Sequence, residues 1–296
     1  LATSLYNFFS CLLRALGNST VPLVFLAVSA ILNIAWDLLF VAVFHWGIAG
    51  AAYATIFAQY VSGIGILLYV LFRCRSLFPE RKDLCFDGGI LKEIAGLSSL
   101  TCLQQSVMNF GILMVQGLVN SFGATTMAAF AAAVKIDTFA YLPVQDFGNA
   151  YSTFIAQNYG AGNKERIRRG TKESFAISTA FSLVISALVF AFAAPLMQIF
   201  VSSAETAVIA SGVRYLRIEG AFYFGIGCLF LLYGYYRAIK RAEMSVVLTV
   251  ISLGIRVLLA YVLSATFLGE TGIWMAIPIG WILADLTGLL YMRKTW

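Results

Sequence analysis

The sequence predicts an all-α polytopic membrane protein, with two six-helix lobes related by a parallel repeat and the first lobe incomplete. Three observations carry this. Apolar residues make up 60% of the 296 and charged residues only 11%, against roughly 25% charged in soluble domains. Apolar windows long enough to cross a hydrocarbon core of about 30 Å recur along the whole chain. Successive connections between these windows alternate between rich and poor in Lys and Arg, as they do when a chain threads a membrane repeatedly.

In order, a stub over Leu1 to Leu13 precedes windows at Val21 to Phe44, Ile48 to Phe72, Ile94 to Val119, Thr125 to Gln157, Ser174 to Val201, Val213 to Tyr236, Met244 to Phe267 and Gly272 to Met292. About eight and a half transmembrane helices are expected. The connections at Arg14, Arg73 to Lys92, Lys164 to Lys172, Arg237 to Arg241 and Arg293 to Lys294 hold sixteen of the twenty Lys and Arg. These connections and the C-terminus are therefore expected on the cytoplasmic side of a plasma membrane, the inner membrane of a bacterium. Because the cations alternate with spans and form no single patch, the net charge of +6 points to membrane orientation and away from nucleic acid. Asn18-Ser19-Thr20 lies on that same side and is read as a loop and cap sequence, not a glycosylation site.

Cys11, Cys74, Cys85, Cys102 and Cys228 stand alone, without ligand-like spacing to the one histidine, His45. No metal site is expected. The chain opens on Leu1 within an apolar run, which suggests an N-terminal truncation.

An internal repeat organises the ends of the chain. Arg14-Ala15-Leu16, a span, the turn Gly47-Ile48-Ala49 and a second span ending Leu68-Tyr69 resemble Arg237-Ala238-Ile239, a span, Gly272-Ile273-Trp274 and a span ending Leu290-Tyr291. Both copies run out from a cytoplasmic Arg and back, so the repeat is parallel. It divides the chain into 1–72, the C-terminal part of a first lobe (the end of helix 4, then helices 5 and 6), a cytoplasmic linker at 73–92, and a second lobe at 93–296 (helices 7 to 12).

Ser29, Asn33 and Asp37 share one helix face. At an offset of 223 their counterparts are Ser252, Arg256 and Ala260. A carboxylate with an amide neighbour can hold a proton or a sodium ion, and a guanidinium cannot. Asp37 and Asn33 are thus the expected ion-coupling residues.

The longest polar-bearing span, over Thr125 to Gln157, places Lys135, Thr138, Asp146, Asn149, Thr153 and Gln157 within about 60° of one line, with Asp137 nearly opposite. That stripe is expected to wall an aqueous cavity, because a charge at membrane depth costs about 2.5–3.5 kcal/mol even on lenient scales. Lys135, Asp137, Asp146, Gln104, Gln105 and Arg256 are the candidate lumen residues. The bland reading sets Lys135 against Asp137 or Asp146, Arg256 against Asp285, and Arg214 or Arg217 against Glu219 as structural pairs. Pro143 is expected to kink this helix. The 24 Phe and 14 Tyr suit a lumen for flat organic cations, although most of them are expected in lipid contact or packing.

The A-x-x-K-I-D run ending at Asp137, Pro143-Val144-Gln145, the Q-N-x-G-A-G-x run over Gln157 to Asn163, R-A-L-G-N-x-x-x-P over Arg14 to Pro22 and N-x-x-x-D over Asn33 to Asp37 together resemble the multidrug and toxic compound extrusion (MATE) family. The resemblance covers essentially the whole chain and corresponds to the last two-thirds of a member. It implies a monomeric antiporter that exports organic, often cationic, compounds for protons or sodium by rocking two lobes, with no cofactor beyond that ion. It also implies that Asn33 and Asp37 belong to the first-lobe cation site. The acids some sodium-coupled members carry in the second lobe correspond to Ser106 and Ile226, so that site is expected to be missing. The rivals are a lipid-linked oligosaccharide flippase, favoured by lumenal cations such as Lys135 and Arg256, and an integral membrane enzyme. The enzyme is disfavoured by the single histidine and the lack of a polar catalytic cluster.

Overall fold

The structure, a computed structural model, describes residues 1–74 and 85–295. Residues 75–84 of the expected linker lie outside the described residues. Every described element is helical: α1 Ala2–Ala15, α2 Thr20–Asp37 continued by a π-helical turn Leu38–Val43, α3 Gly47–Arg73, α4 Gly88–Asn120, α5 Ala124–Gly160, α6 Lys164–Phe200, α7 Thr206–Gly220, α8 Tyr223–Ala238, α9 Ala242–Thr249, a second π-helical turn Val250–Gly254, α10 Ile255–Ser264 and α11 Glu270–Thr295. Seven of the described spans are long and apolar enough to cross a membrane, and an eighth is formed by the bent pair α7–α8. With the α1 stub, these are the expected eight and a half helices.

One expected span differs. The window from Val213 to Tyr236 is broken at Ala221–Phe222, where the axis turns by 51°. The Pro143 kink does not appear as a break: α5 runs helical through that residue. The irregularity lies instead in α6 at Phe192 (φ −104°, ψ 17°), three residues before Pro195, where the proline ring presses on the preceding turn.

The chain divides into two compact units, residues 1–88 and 89–296. In the first, α1 and α2 both pack on α3. Phe9, Leu13, Ile66 and Val70 form its small core. Gly63 faces the Ala2 carbonyl so closely that an added Cβ would sit 2.8 Å from it. The Ser29 hydroxyl donates to the Ala58 carbonyl at 2.8 Å and joins α2 to α3. Only 6% of the α2 window is buried within the protein, leaving an apolar outer face suited to lipid.

The second unit is a larger bundle with α5 and α8 at its centre. Its core carries an aromatic stack in which Trp274 lies parallel to Phe130 at 5.5 Å and meets Tyr215 edge-on at 4.9 Å. In lipid, such packing and close backbone approach hold helices together, since burial from water contributes little. The tightest approach is between α5 and α8. A Cβ on Gly148 would stand 3.0 Å from the Phe230 carbonyl, and one on Gly234 would stand 2.6 Å from the Gly148 carbonyl. At one end of the bundle Glu270, in the first turn of α11, accepts from Thr126 and Ser211 at 3.0 Å each and pairs with Arg214 at 3.3 Å, tying α5, α7 and α11. At the other end Lys240 pairs with Glu93 at 2.5 Å, which holds the ammonium above its ordinary range.

The internal repeat is visible within each unit as a helix, a left-handed glycine turn and a return helix. Its register at the turn differs from the one expected. Gly47 (φ 56°) and Gly269 (φ 53°) are the turn glycines, while Gly50 packs on the backbone of Phe40 and Gly272 on that of Leu263. Gly272 therefore matches Gly50, not Gly47, because those two positions admit the preceding helix.

Candidate ion and substrate site

Three elements of the second unit supply the charged groups. α5 offers a line of side chains three or four residues apart, Phe130, Val134, Asp137, Tyr141 and Gln145, to a partly open cavity of about 200 Å³. Across it, α7 contributes Tyr215 and Glu219 four residues apart, and α8 begins with Tyr223. Arg256 enters from α10, two residues past the π-helical turn that also presents Ser252 and Leu253. The extra residue in a π-helical turn shifts the helical phase of every residue beyond it, and such turns recur at functional sites.

The carboxylates sit at the broken span. Asp137 is 4% exposed and Glu219 6%. The Tyr223 hydroxyl donates a short hydrogen bond to Asp137 Oδ1, and Tyr215 lies beside both acids. Asp137 Oδ2, Glu219 Oε2 and Arg256 Nε are all buried without a hydrogen-bond partner in the protein. The guanidinium acts electrostatically on both carboxylates, yet no ion pair within 4.0 Å joins it to either among the described residues. Two acids and one cation from three helices, one of them ending at the α7–α8 break, with carboxylate oxygens left over, form a site able to take a cation.

Of the residues expected in a lumen, Asp137 and Arg256 share this cavity. The others do not. Lys135 and Asp146 lie on exposed positions of α5, so the polar stripe does not wall this cavity; the face it was set opposite does. Lys135 stands over the Phe200 ring at 5.7 Å in an open cleft, unpaired with Asp137 or Asp146. Gln104 is buried on α4 and Gln105 is exposed, and neither lines the cavity. The pairing of Arg214 or Arg217 with Glu219 is replaced: Arg214 takes Glu270, and Arg217 lies over the Phe190 ring at 5.3 Å, because Glu219 points inward. Asp285 has no ion pair with Arg256; it is buried against the Cys228 thiol with Oδ1 unpartnered.

Ser106 is exposed and Ile226 lines the cavity. The carboxylates that line the cavity come from α5 and α7. In the sequence Glu219 is read only as a structural partner of Arg214 or Arg217 and its tyrosines are passed over, although Tyr215, Glu219 and Tyr223 recur at four-residue spacing within an apolar window.

In the first unit, Asn33 and Asp37 share a face of α2 immediately before the π-helical turn at Leu38. Both are half-buried, and Asn33 Nδ2 and Asp37 Oδ1 lack hydrogen-bond partners within the protein.

Eight apolar spans with ionisable groups gathered at a helix break define a polytopic membrane protein of the transporter type. The family model MatE matches residues 100–262, and the chain belongs to that family. It is 33% identical to the probable multidrug resistance protein YpnP of Bacillus subtilis over 97% of its own length and 64% of that relative. It is 27% identical to the probable multidrug resistance protein NorM of Thermotoga maritima, over 97% and 63%. The chain thus spans a little under two-thirds of these relatives. In fold it resembles the crystal structure of a mutant of the Vibrio cholerae MATE transporter VcmN, with TM-score 0.92, 22% identity, and coverage of 99% of this chain and 66% of that one. An outward-facing multidrug resistance MATE transporter of the MOP superfamily gives TM-score 0.92 at 24% identity, with 98% and 65% covered.

Proposed function

We propose that this chain belongs to a secondary antiporter that exports organic, often cationic, compounds in exchange for protons or sodium by alternating access. The observation that carries the reading is the buried Asp137–Glu219 pair in a partly open cavity beside the α7–α8 break, each acid with one oxygen that no protein donor satisfies. Asp37 and Asn33 are the proposed coupling residues of the first unit, and Asp137, Glu219 and Tyr223 those of the second. Ion binding favours one access state, and substrate binding the other, only if each binds the two states with different affinity. Relatives named as multidrug resistance proteins support small organic substrates, and transport, not catalysis. The cation distribution supports a plasma-membrane protein with a cytoplasmic C-terminus.

A second reading takes a phosphate-bearing substrate, as in lipid-linked oligosaccharide translocation. Lys135 in its open cleft favours it, as does a relative named FAD transporter, 25% identical over 90% of this chain. The cavity itself holds two carboxylates to one guanidinium, which repels phosphate and favours the cation reading.

Reconstituted in liposomes, the protein is expected to accumulate N-methyl-4-phenylpyridinium under an imposed pH or sodium gradient. Asp37→Asn is expected to lower that accumulation at least tenfold. Translocation of a lipid-linked sugar with no gradient-dependent cation uptake would reverse the choice.

A further inference from the structure

We infer that Arg256 sets the charge of the Asp137–Glu219 cavity, so that it accepts one monovalent cation at a time and rejects dications. This rests on the cation-exchange reading above. The groups facing the cavity fix its charge. Asp137 comes from α5, Glu219 from α7 and Arg256 from α10. The remaining titratable side chains facing it are the phenols of Tyr141 on α5, Tyr215 on α7, and Tyr223 and Tyr233 on α8, which are neutral donors. Met108, Ile112 and Gln116 of α4 and Trp281 of α11 add no charge; Asp285 stands four residues beyond Trp281, outside the lining.

With both carboxylates ionised the cavity carries −2 from the acids and +1 from the guanidinium. Net charge in an apolar cavity is costly, so the occupied state favours neutrality. One proton, one sodium ion or one organic monocation achieves that; a dication overshoots. The guanidinium is placed to act this way because it faces the same cavity as both acids while its Nε and one oxygen of each acid remain unpartnered. It neutralises part of the site without closing it as an ion pair. A monocation that enters a loaded site displaces one proton to solvent, and charge balances.

The test uses two probes of nearly the same size and shape, the monocation N-methyl-4-phenylpyridinium and the dication methyl viologen. Binding to the purified protein is measured together with proton release in weakly buffered solution. The wild type is expected to release one proton per monocation bound and to bind methyl viologen at least tenfold more weakly. Arg256→Gln is expected to shift the ratio of the two affinities at least tenfold toward the dication and to release two protons on binding it. Arg256→Lys, which keeps the charge, is expected to behave as the wild type, which separates a charge effect from damage to the fold. Unchanged affinity ratio and proton count in a folded Arg256→Gln protein would overturn the role of Arg256 alone. Proton release that persists in Asp137→Asn/Glu219→Gln would overturn the cation-exchange reading of the cavity, and this inference with it.

Discussion

At the scale of single residues, the chemistry turns on charges that have no solvent to share. A phenol that donates to a buried carboxylate favours its ionised form. Tyr223 supplies that donor to Asp137. Removing a donor to a charged group costs about 1–3 kcal/mol. Tyr223→Phe should therefore change the affinity for the coupling cation by roughly five- to a hundredfold, with little loss of folded protein. Binding isotherms for the monocation at several pH values check this. Asp137 is within reach of sequence reading as an ionisable residue in a span, but its side of α5 is not. Lys135, Asp146 and Gln157 make the opposite face look polar, and helical phase alone cannot tell an open surface from a cavity. Glu219 is hidden for a related reason. Arg214 and Arg217 stand within five residues of it, so an ion pair is the economical expectation until Glu270, more than fifty residues away, is seen to take Arg214.

At the scale of elements, two contacts keep the site in shape. The first is the α5–α8 approach at Gly148 and Gly234, directly below the Asp137–Tyr223 hydrogen bond along both helices. Gly234→Leu would force these backbones apart at a cost of about 1–3 kcal/mol, so a lower melting temperature in detergent and weaker cation binding are expected together. The second is the Glu270 clasp. Glu270→Gln keeps an acceptor for Thr126 and Ser211 and gives up only a partly exposed ion pair, an effect of at most about 1 kcal/mol. Glu270→Ala strands two buried hydroxyls and should cost more, about 1–3 kcal/mol. Thermal unfolding of the two variants side by side distinguishes these effects. The helices themselves are legible in the sequence because a span of apolar residues is a local property. The break at Ala221–Phe222 is not, because the two halves together read as one apolar span.

At the scale of the whole molecule, the alternation of cations between connections gives a sidedness that can be read chemically. In a cysteine-free background, Lys240→Cys is expected to react with a membrane-impermeant maleimide from the cytoplasmic face, and Ser202→Cys only from the opposite face. The repeat is legible in outline from Arg14 and Arg237. Its register at the turn needs the backbone, because Gly47 and Gly269 are marked by a left-handed conformation that hydropathy does not record. In the second unit it is the Asp137–Glu219 pair that brings buried acid to the cavity.

The most direct test of that pair is transport by Asp137→Asn/Glu219→Gln in liposomes, with N-methyl-4-phenylpyridinium measured both down its own gradient and against it under an imposed proton or sodium gradient. The amides leave Arg256 as the one charged side chain facing the cavity, so ion-driven accumulation is expected to be abolished and downhill equilibration of the monocation slowed as well. Accumulation at the wild-type level in this double variant would contradict the assignment of coupling to the Asp137–Glu219 site.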